Sequence, residues 1–375
     1  MSHPSTFSSA RVAIVHEWLT VPGGSEKVVL ALLDLFPQAE IFTSIYDPRP
    51  WPAEITDRPV HTSFLNRIPR AHRIYPKLLP LMNRAFESFD LSGFDLILSS
   101  NHSCAKNVFA PPGALHVCYC HTPMRHAWEP RFLEGETGPI PPALLKPMLA
   151  RLRRQDLAAS TRPDHFVANS QHVANRISKY YGREARVIHP PVDVEPLLAA
   201  PRNGDGGYYL YLGRVIPYKR PDLAVAACKR LGRRLIVAGG GRATERLRKL
   251  AGPDTEFRGE VSDDEVRELL AGARALLFPG EEDFGIVPVE AQAAGTPVVA
   301  YGVGGARESV IDGETGVLFE EQSEAALADA IERLEASSLS ETRIRDNARR
   351  FSPERFEEEF AAFLEKVGGD ERPGG

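Results

Sequence analysis

Residues 281–290, EEDFGIVPVE, stand between an apolar run and a short helical pattern. The preceding residues 275–279, ALLFP, are typical of a buried strand, and the following residues 291–295, AQAAG, are typical of a helix that ends at glycine. The segment therefore predicts a strand–loop–helix unit of a parallel sheet. Its loop carries several carboxylates, although the free amides of a helix start favour an anionic ligand.

The size and composition of the chain limit the classes of protein to which it can belong. A length of 375 residues exceeds the size at which one core stops growing, so we expect two domains. A net charge of −5 argues against a nucleic-acid partner. Four scattered cysteines do not make a disulfide framework, and no apolar run reaches the roughly 20 residues that span a bilayer. Because the first ten residues are polar, we expect no signal peptide and a cytoplasmic location, with contact at the inner face of the cell membrane still open.

Strand-like and helix-like patterns alternate through both halves of the chain. The candidate strands are residues 11–15, 39–43, 96–100, 115–119 and 165–168, and then residues 208–212, 235–238, 256–258, 275–278 and 297–301. Alternation of this kind predicts an α/β fold with two doubly wound, Rossmann-like domains. We expect the carboxyl ends of both sets of strands to border one central cleft.

The domain boundaries are predicted from composition. Residues 201–207, PRNGDGG, are the best linker in the sequence. They separate an N-terminal Rossmann-like domain, residues 1–200, from a C-terminal Rossmann-like domain, residues 201–350. In residues 351–375, Phe356, Phe360, Phe363 and Leu364 have helical spacing, which predicts an amphipathic helix that crosses back to the first domain, followed by a polar tail.

Two glutamates of the opening segment occupy different positions. If the helix begins at Gly285 or Ile286, Glu282 stays in the loop and Glu290 lies more than a turn inside the helix. Amides of the first turn then form an anion site, and Glu290 can accept hydrogen bonds from a vicinal diol such as that of ribose. The alternative is an acidic helix start that complements the macrodipole, and that interpretation is adopted for Glu281 and Asp283.

Cations and glycines also follow predicted strands. Arg214 and Lys219 come after the first strand of the second half. The planar guanidinium of an arginine and the compact ammonium of a lysine together suit a diphosphate. Gly24 lies in the first strand-to-helix loop, where backbone can approach a phosphate closely. The alternative for Arg214 and Lys219 is that both are solvated surface cations, and the alternative for Gly24 is that it belongs to an ordinary turn.

These motifs occur in an order that resembles a known family. The set comprises His16-Glu17-Trp18-Leu19, Gly23-Gly24, residues 121–125 (HTPMR), Asn169-Ser170, residues 190–193 (PPVD), Gly213-Arg214 with residues 217–219 (PYK), the E-x₇-E pair Glu282 and Glu290, and residues 295–298 (GTPV). It resembles the retaining family 4 glycosyltransferases, which have the GT-B fold of two Rossmann-like domains. Within them it is most similar to bacterial mannosyltransferases that build O-antigen and exopolysaccharide.

The resemblance implies roles for residues of the second half. Arg214 and Lys219 would hold the donor diphosphate, and Glu290 the ribose hydroxyls. Glu282 would hold the transferred sugar. The amides that would accompany it belong to Phe284, Gly285 and Ile286. Backbone around Val261 would meet the base.

In the first half, the resemblance places Gly24 against the diphosphate and adds Ser170 to the donor contacts. His121 would contact the transferred sugar and share in catalysis with Glu282, Arg214 and Lys219. A core histidine is the alternative for His121. The donor implied is a nucleotide sugar, GDP-mannose in the first place, and the acceptor a lipid-linked oligosaccharide of cell-surface polysaccharide assembly.

The resemblance also implies retention of anomeric configuration, by same-face attack through an oxocarbenium-like state. No DxD-like pair stands at a predicted strand end, since Asp263-Asp264 follow Ser262 and are typical of a helix cap. We therefore expect no metal and no cofactor, with Arg214, Lys219 and a helix dipole stabilising the leaving diphosphate.

Two basic-apolar segments suit an anionic membrane surface or a lipid diphosphate acceptor. Their basic residues are Arg67, Arg70, Arg73, Lys77 and Arg84 in the first segment, and Lys146, Arg151, Arg153 and Arg154 in the second. The alternative is a set of solvated helices packed on the first domain, and prolines at 69, 76 and 80 preclude a long regular helix there.

Three other functions fit the same motifs. The donor can be a UDP-sugar, or the enzyme can be a GT-B nucleotide-sugar epimerase without an acceptor surface. A non-catalytic partner subunit is the third, against which the presence of Glu282, Glu290, Arg214 and Lys219 argues.

Overall fold

The computed structural model describes residues 7–129, 142–202 and 206–370. The chain divides into two compact units: unit 1 comprises Met1–Pro191 and Pro353–Gly375, and unit 2 comprises Val192–Ser352. The first division therefore precedes the predicted linker 201–207, of which residues 203–205 lie outside the described residues.

The earlier division has a physical cause in the packing of residues 192–200. Val192 and Leu197 are buried in the core of unit 2. The Arg345 guanidinium donates hydrogen bonds to the carbonyls of Leu197, Leu198 and Ala200 at 3.1–3.3 Å. These contacts join residues 192–200 to unit 2, whereas the composition of the linker indicates a boundary at residue 201.

Unit 1 is built on a parallel sheet of seven strands in the order β3-β2-β1-β4-β5-β6-β7. The strands are β1 (Val12–His16), β2 (Glu40–Thr43), β3 (Val60–Thr62), β4 (Leu96–Asn101), β5 (Leu115–Cys120), β6 (His165–Ala168) and β7 (Ala185–Val187). The central strands β1, β4 and β5 are buried at every position, as expected for a sheet covered on both faces. The order reverses between β1 and β4, and such a switch point is where α/β sheets bind ligands.

Helices cover both faces of this sheet. They are α1 (Gly24–Leu35), α2 (Ala53–Thr56), α3 (Ala71–Ile74), α4 (Leu79–Glu87), α5 (Arg125–Trp128), α6 (Pro142–Ala159) and α7 (Gln171–Tyr181). Short 3₁₀ turns at Phe64–Arg67 and Tyr75–Leu78 alternate with α3 and α4. The first basic segment is thus broken into short helices, as its prolines predict.

Unit 2 contains a parallel sheet of six strands in the order β10-β9-β8-β11-β12-β13. Its strands are β8 (Tyr209–Leu212), β9 (Leu235–Ala238), β10 (Thr255–Gly259), β11 (Ala275–Phe278), β12 (Val298–Tyr301) and β13 (Gly316–Phe319). Its helices are α8 (Glu195–Ala199), α9 (Pro221–Leu231), α10 (Thr244–Leu250), α11 (Asp263–Gly272), α12 (Ile286–Ala293), α13 (Ala306–Ser309), α14 (Glu324–Glu335) and α15 (Glu341–Arg349). Here the order reverses between β8 and β11.

The last helix, α16 (Pro353–Asp370), belongs to unit 1. Its residues Phe356, Phe360 and Leu364 are buried in the same core as α1 and β5, as their spacing predicts. The Phe356 ring lies 5.7 Å from that of Tyr119 on β5.

The two doubly wound sheets confirm the predicted α/β architecture. Strands β3, β7 and β13 are not in the sequence-based prediction, because each has only three or four residues and no clear alternation. In the described ranges, every helix is too short or too polar to cross a membrane.

Candidate functional site

The switch point of unit 2 brings together two loops that the sequence separates by about 60 residues. Because β8 and β11 are neighbours, the loop that carries Lys219 lies beside the loop that carries Glu282. Lys219 Nζ is 2.9 Å from Glu282 Oε1, and the two side chains are 20% and 16% exposed. Gly280 allows this approach, since a Cβ there would lie 2.8 Å from Lys219 Cα. Both residues are predicted site residues, but their ion pair is a structural finding.

Arg214 stands at the same edge of the sheet and is exposed. Its Nη2 donates to the Tyr218 hydroxyl at 3.1 Å, and its carbonyl accepts from the Tyr211 hydroxyl at 3.0 Å. The backbone is therefore anchored, whereas the guanidinium keeps further N–H groups without a hydrogen bond among the described residues. Arg214 and Lys219 offer two cations beside one carboxylate.

Helix α12 begins at Ile286, directly after Gly285 with φ 88°. Among the described residues no side chain caps the start of α12, so the amides of Ile286 and Val287 remain available to an anion, whereas Pro288 has no N–H to offer. Glu290 is the fifth residue of α12 and is half-buried, which confirms its predicted place beyond the first turn. The Gly305 amide donates to the carbonyl of Glu282 at 2.9 Å and holds the loop before the helix.

Glycines shape the neighbouring strand ends. A Cβ at Gly239 would lie 2.1 Å from the Gly213 carbonyl oxygen, and the Gly239 amide donates to the Gly259 carbonyl at 2.6 Å. Val261, the predicted base contact, is half-buried two residues after β10. The next residue, Ser262, caps α11 by accepting from the Glu265 amide at 3.3 Å, so the capping interpretation of Asp263-Asp264 is correct.

In unit 1, Gly24 is the first residue of the 12-residue helix α1 and is exposed. Its predecessor Gly23 is extended, and the helix has no side-chain cap. The carboxylate of Glu26 lies at this helix start, where it accepts from the Ser25 hydroxyl at 2.9 Å, so the first turn already carries a negative charge.

His121 follows β5 and is joined to β1 and α1 by a chain of buried side chains. His121 Nε2 lies 2.9 Å from Ser100 Oγ, which lies 3.1 Å from His16 Nδ1. His16 Nε2 lies 3.1 Å from Glu26 Oε1. The sequence shows polar residues near the ends of two strands, His16 in β1 and Ser100 in β4. It does not show that these strands are neighbours, so it could not predict the hydrogen bond between them.

Burial and the neighbouring charged groups set the pKa values of Glu26 and His121 in this series of hydrogen-bonded side chains. Burial by itself would raise the pKa of Glu26, but the hydrogen bond and charge of His16 hold that pKa at about 2. Burial, reinforced by the nearby His102 and His16, lowers the pKa of His121 to about 3. Glu26 is therefore ionised and His121 neutral at physiological pH.

Ser170 is fully buried and caps α7, accepting from the Val173 amide at 3.1 Å. Its hydroxyl also donates to Asn169 Oδ1, and Asn169 Nδ2 donates to the His121 carbonyl at 3.1 Å. The structure thus gives Ser170 a helix-capping place and connects it to the loop that carries His121.

Glu17 is a buried residue that sequence reasoning did not assign to a role. Its Oε1 accepts four consecutive amides, those of residues 102–105, at 2.6–3.1 Å. Beyond this loop Lys106 is paired with the buried Asp156. The two carboxylates fix the loop after β4, directly beyond Ser100.

The predicted basic surface of unit 1 is partly exposed as expected. Its solvent-exposed cations, which form no ion pair within the described ranges, are Arg67, Arg70, Arg73, Lys77, Arg84, Lys146, Arg151 and Arg154. Phe64 and Leu81 beside the first group are 43% and 40% exposed. Arg153 differs, because its Nε donates to the Ala127 carbonyl at 2.7 Å and its guanidinium lies over the Trp128 ring. The second segment comprises residues 141–154, of which residue 141 lies outside the described residues.

In residues 7–129, 142–202 and 206–370, no group of three or more His, Cys, Asp or Glu side chains is arranged to hold a metal ion.

Two families match consecutive parts of the chain. Residues 22–196 match the family described as Glycosyltransferase Family 4, and residues 199–351 match Glycosyl transferases group 1. A D-inositol 3-phosphate glycosyltransferase of Streptomyces bingchenggensis is 34% identical over 206 residues, 46% of this chain and 45% of that protein. The enzyme of the same name from Mycobacterium bovis is 33% identical over 199 residues, 46% of this chain and 41% of that protein. The alignments thus span less than half the length of these relatives.

Solved structures share the fold along nearly the whole chain. Anabaena HepE in complex with UDP-glucose has a TM-score of 0.69 and 18% identity, covering 95% of this chain and 100% of that one. The apo lipopolysaccharide outer core galactosyltransferase WaaB has a TM-score of 0.66 and 17% identity, covering 94% and 99%. With the two Rossmann-like sheets, these likenesses confirm the expected GT-B fold.

Proposed function

We propose that the chain is a glycosyltransferase of the family 4 type, because its two halves match Glycosyltransferase Family 4 and Glycosyl transferases group 1, and that it moves a hexose from a nucleoside diphosphate sugar to a lipid-linked oligosaccharide. The observation that carries this proposal is the switch point of unit 2. Arg214 and Lys219 supply two cations beside an uncapped helix start, which together suit a diphosphate. Glu290, inside that helix, would accept hydrogen bonds from the hydroxyls of a ribose.

The residues present suggest how the transfer proceeds. Glu282 lies at the loop before α12 and would meet the sugar near the carbon where positive charge develops. Arg214, Lys219 and the amides of α12 would stabilise the leaving diphosphate without a divalent ion. His121 would contact a hydroxyl of the transferred sugar. We propose that the reaction retains anomeric configuration by same-face departure and attack.

GDP-mannose is the donor we propose first, on the resemblance of the motifs to mannosyltransferases. A UDP-sugar is the second candidate, since the structural neighbour HepE is in complex with UDP-glucose. Backbone groups around Val261 would meet the base of either donor.

The acceptor is proposed from the surface of unit 1. Exposed cations and the exposed Phe64 and Leu81 suit an anionic bilayer at the inner face of the cell membrane and a lipid-linked diphosphate. The chain should sediment with vesicles that contain anionic lipid, and less with neutral vesicles. Equal sedimentation with both would contradict this part of the proposal.

Product analysis tests the function directly. The purified chain is incubated with GDP-mannose, UDP-glucose or UDP-galactose and a membrane extract containing lipid-linked glycans. We expect radiolabelled sugar to enter the lipid fraction from one donor, with release of the nucleoside diphosphate. Conversion of the nucleotide sugar into its epimer without acceptor would identify an epimerase instead, and no turnover of any donor would favour a non-catalytic subunit.

A further inference from the structure

The carboxyl edge of the unit 2 sheet continues beyond Arg214 and Lys219, across the ends of β9 and β10. Three glycines, residues 239–241, follow β9, and Glu260 follows β10 directly. The strand order β10-β9-β8 places Glu260 two strands away from the strand that Arg214 follows. Neighbouring strands are about 4.8 Å apart, so about 10 Å separates these two positions along the edge. The edge thus has cations at one end and a carboxylate at the other.

Between these ends the surface consists of backbone. Residues 239–241, called here the glycine loop, carry no side chains. The Val215 amide donates to the Gly240 carbonyl at 2.8 Å, and the Gly239 amide donates to the Gly259 carbonyl at 2.6 Å. These hydrogen bonds hold the ends of β8, β9 and β10 together. A flat ligand can therefore lie on the glycine loop without meeting a side chain of residues 239–241.

The Glu260 side chain lies beside the glycine loop. A Cβ at Gly240 would be 3.5 Å from Glu260 Cγ and 3.6 Å from Glu260 Oε1. Glu260 is exposed, and within the described residues its carboxylate forms neither a hydrogen bond nor an ion pair. The next residue, Val261, packs against the core that contains Val289 of α12, so the loop after β10 and helix α12 cover the same face of the sheet. Both oxygens of Glu260 are thus available to accept hydrogen bonds from a ligand.

Nucleobases differ in the hydrogen-bonding groups that they present to a carboxylate. Guanine has two adjacent donors, N1–H and the N2 amino group, on its Watson–Crick edge, and the two oxygens of a carboxylate can accept from both. Uracil has a single N3–H donor between the carbonyl oxygens O2 and O4, which repel a carboxylate. Adenine has its N6 amino group beside the acceptor N1. A carboxylate against the base therefore favours guanine over uracil and adenine.

We infer that Glu260 is a specificity-determining residue that selects guanine as the base of the donor, by accepting hydrogen bonds from N1–H and the N2 amino group. The inference rests on the proposed function, in which Arg214 and Lys219 hold the diphosphate and backbone around Val261 meets the base. A guanine nucleotide in that position has its negative end at the cations and the donor edge of its base at the carboxylate. The charges at the two ends of the edge match those of the ligand.

Isothermal titration calorimetry of the full chain with GDP, UDP and inosine 5′-diphosphate measures this selection without any sugar. Inosine diphosphate differs from GDP only in lacking the N2 amino group, so the comparison isolates one hydrogen bond. Bidentate contacts to a base discriminate by about 5- to 150-fold, and an exposed carboxylate belongs at the lower end of that range. We expect the wild type to bind GDP about five- to tenfold more tightly than inosine diphosphate, and at least as much more tightly than UDP.

A matched pair of substitutions separates the contact with the base from a general change of charge. Glu260→Gln removes the negative charge and brings amide N–H groups to the donor edge of guanine, so it should weaken binding of GDP by about five- to tenfold. Affinity for UDP should stay within about twofold or increase. Asp263→Asn removes the same charge three residues later, from the exposed first residue of α11, and should leave all three affinities within about twofold of wild type.

The possible outcomes distinguish this inference from the proposed function. If the wild type binds UDP or inosine diphosphate as tightly as GDP, Glu260 does not select guanine, and the proposed function stands with another base. If GDP is preferred but the preference is unchanged in Glu260→Gln, or is lost equally in Asp263→Asn, the role assigned to Glu260 is wrong. If none of the three diphosphates binds to the wild type, the proposed function fails together with the inference.

Discussion

Replacing Lys219 by Met tests the ion pair at the switch point of unit 2. The substitution removes the cation but keeps most of the aliphatic stem. It also leaves Glu282, whose side chain is 16% exposed, without the ammonium that lies 2.9 Å away. Two effects then oppose diphosphate binding: a lost attraction, and a carboxylate that is no longer neutralised.

The first effect has a known order of magnitude. A hydrogen bond to a charged group contributes about 1.5–3 kcal/mol, which is about 10- to 150-fold in the dissociation constant. The second effect is separated by the double variant Lys219→Met/Glu282→Gln, which removes both charges. We expect this double variant to bind the diphosphate about tenfold more tightly than Lys219→Met alone, because repulsion from Glu282 is gone.

Isothermal titration calorimetry with GDP and with UDP measures these affinities without any sugar. Glu282→Gln alone should leave affinity for the free diphosphate nearly unchanged and lower kcat with the donor. Arg220→Met is the control, because the neighbouring Arg220 is paired with Asp222 at 3.0 Å and should not contact the diphosphate. Equal affinity for Lys219→Met and wild type would refute the assignment, and so would a double variant that binds no better than Lys219→Met.

Three further predictions concern ribose, metal and pH. Glu290→Gln should weaken binding of the nucleoside diphosphate and of the nucleoside monophosphate alike, since both carry the ribose. Calorimetry measures both affinities, and a loss of affinity seen only with the nucleotide sugar would contradict this role. Transfer activity should survive EDTA, and a loss that magnesium or manganese restores would refute the metal-free mechanism. Burial lowers the pKa of His116 and of His121 to about 3 in the folded protein. Between about pH 6.5 and pH 3 the unfolded protein therefore binds more protons than the folded protein, and the free energy of unfolding decreases as the pH is lowered. Each histidine should cost about 2 kcal/mol between pH 7 and 5 in urea unfolding, and His116→Asn should remove its share; an equally steep loss in that variant would exclude His116 as a cause.

The sequence was sufficient to predict the elements that place the site. The apolar run at β11, the capping serine of α11 and the spacing of phenylalanines in α16 are local patterns, and local patterns determine local structure. The same holds for Glu290, whose depth in α12 follows from where the helix starts. These features depend on residues within a few positions of each other.

Contacts between strands were beyond such reasoning. Lys219 meets Glu282 because β8 and β11 are neighbours, and His16 meets Ser100 because β1 and β4 are neighbours. Neither adjacency is encoded in the spacing of the residues along the chain. The packing of the residues before 201 on unit 2 has the same origin, since Arg345 binds that segment from far along the sequence.

The route of the chain through the two units has a consequence for how the protein is made. Unit 2 is one continuous segment, Val192–Ser352, whereas unit 1 is completed only by Pro353–Gly375. During synthesis all of unit 2 is translated before α16, so the N-terminal half cannot complete its core until Phe356, Phe360 and Leu364 have been made. A polypeptide that stops after Ser352 would thus carry a complete second unit and a first unit with an open apolar groove, the kind of surface that chaperones and proteases recognise.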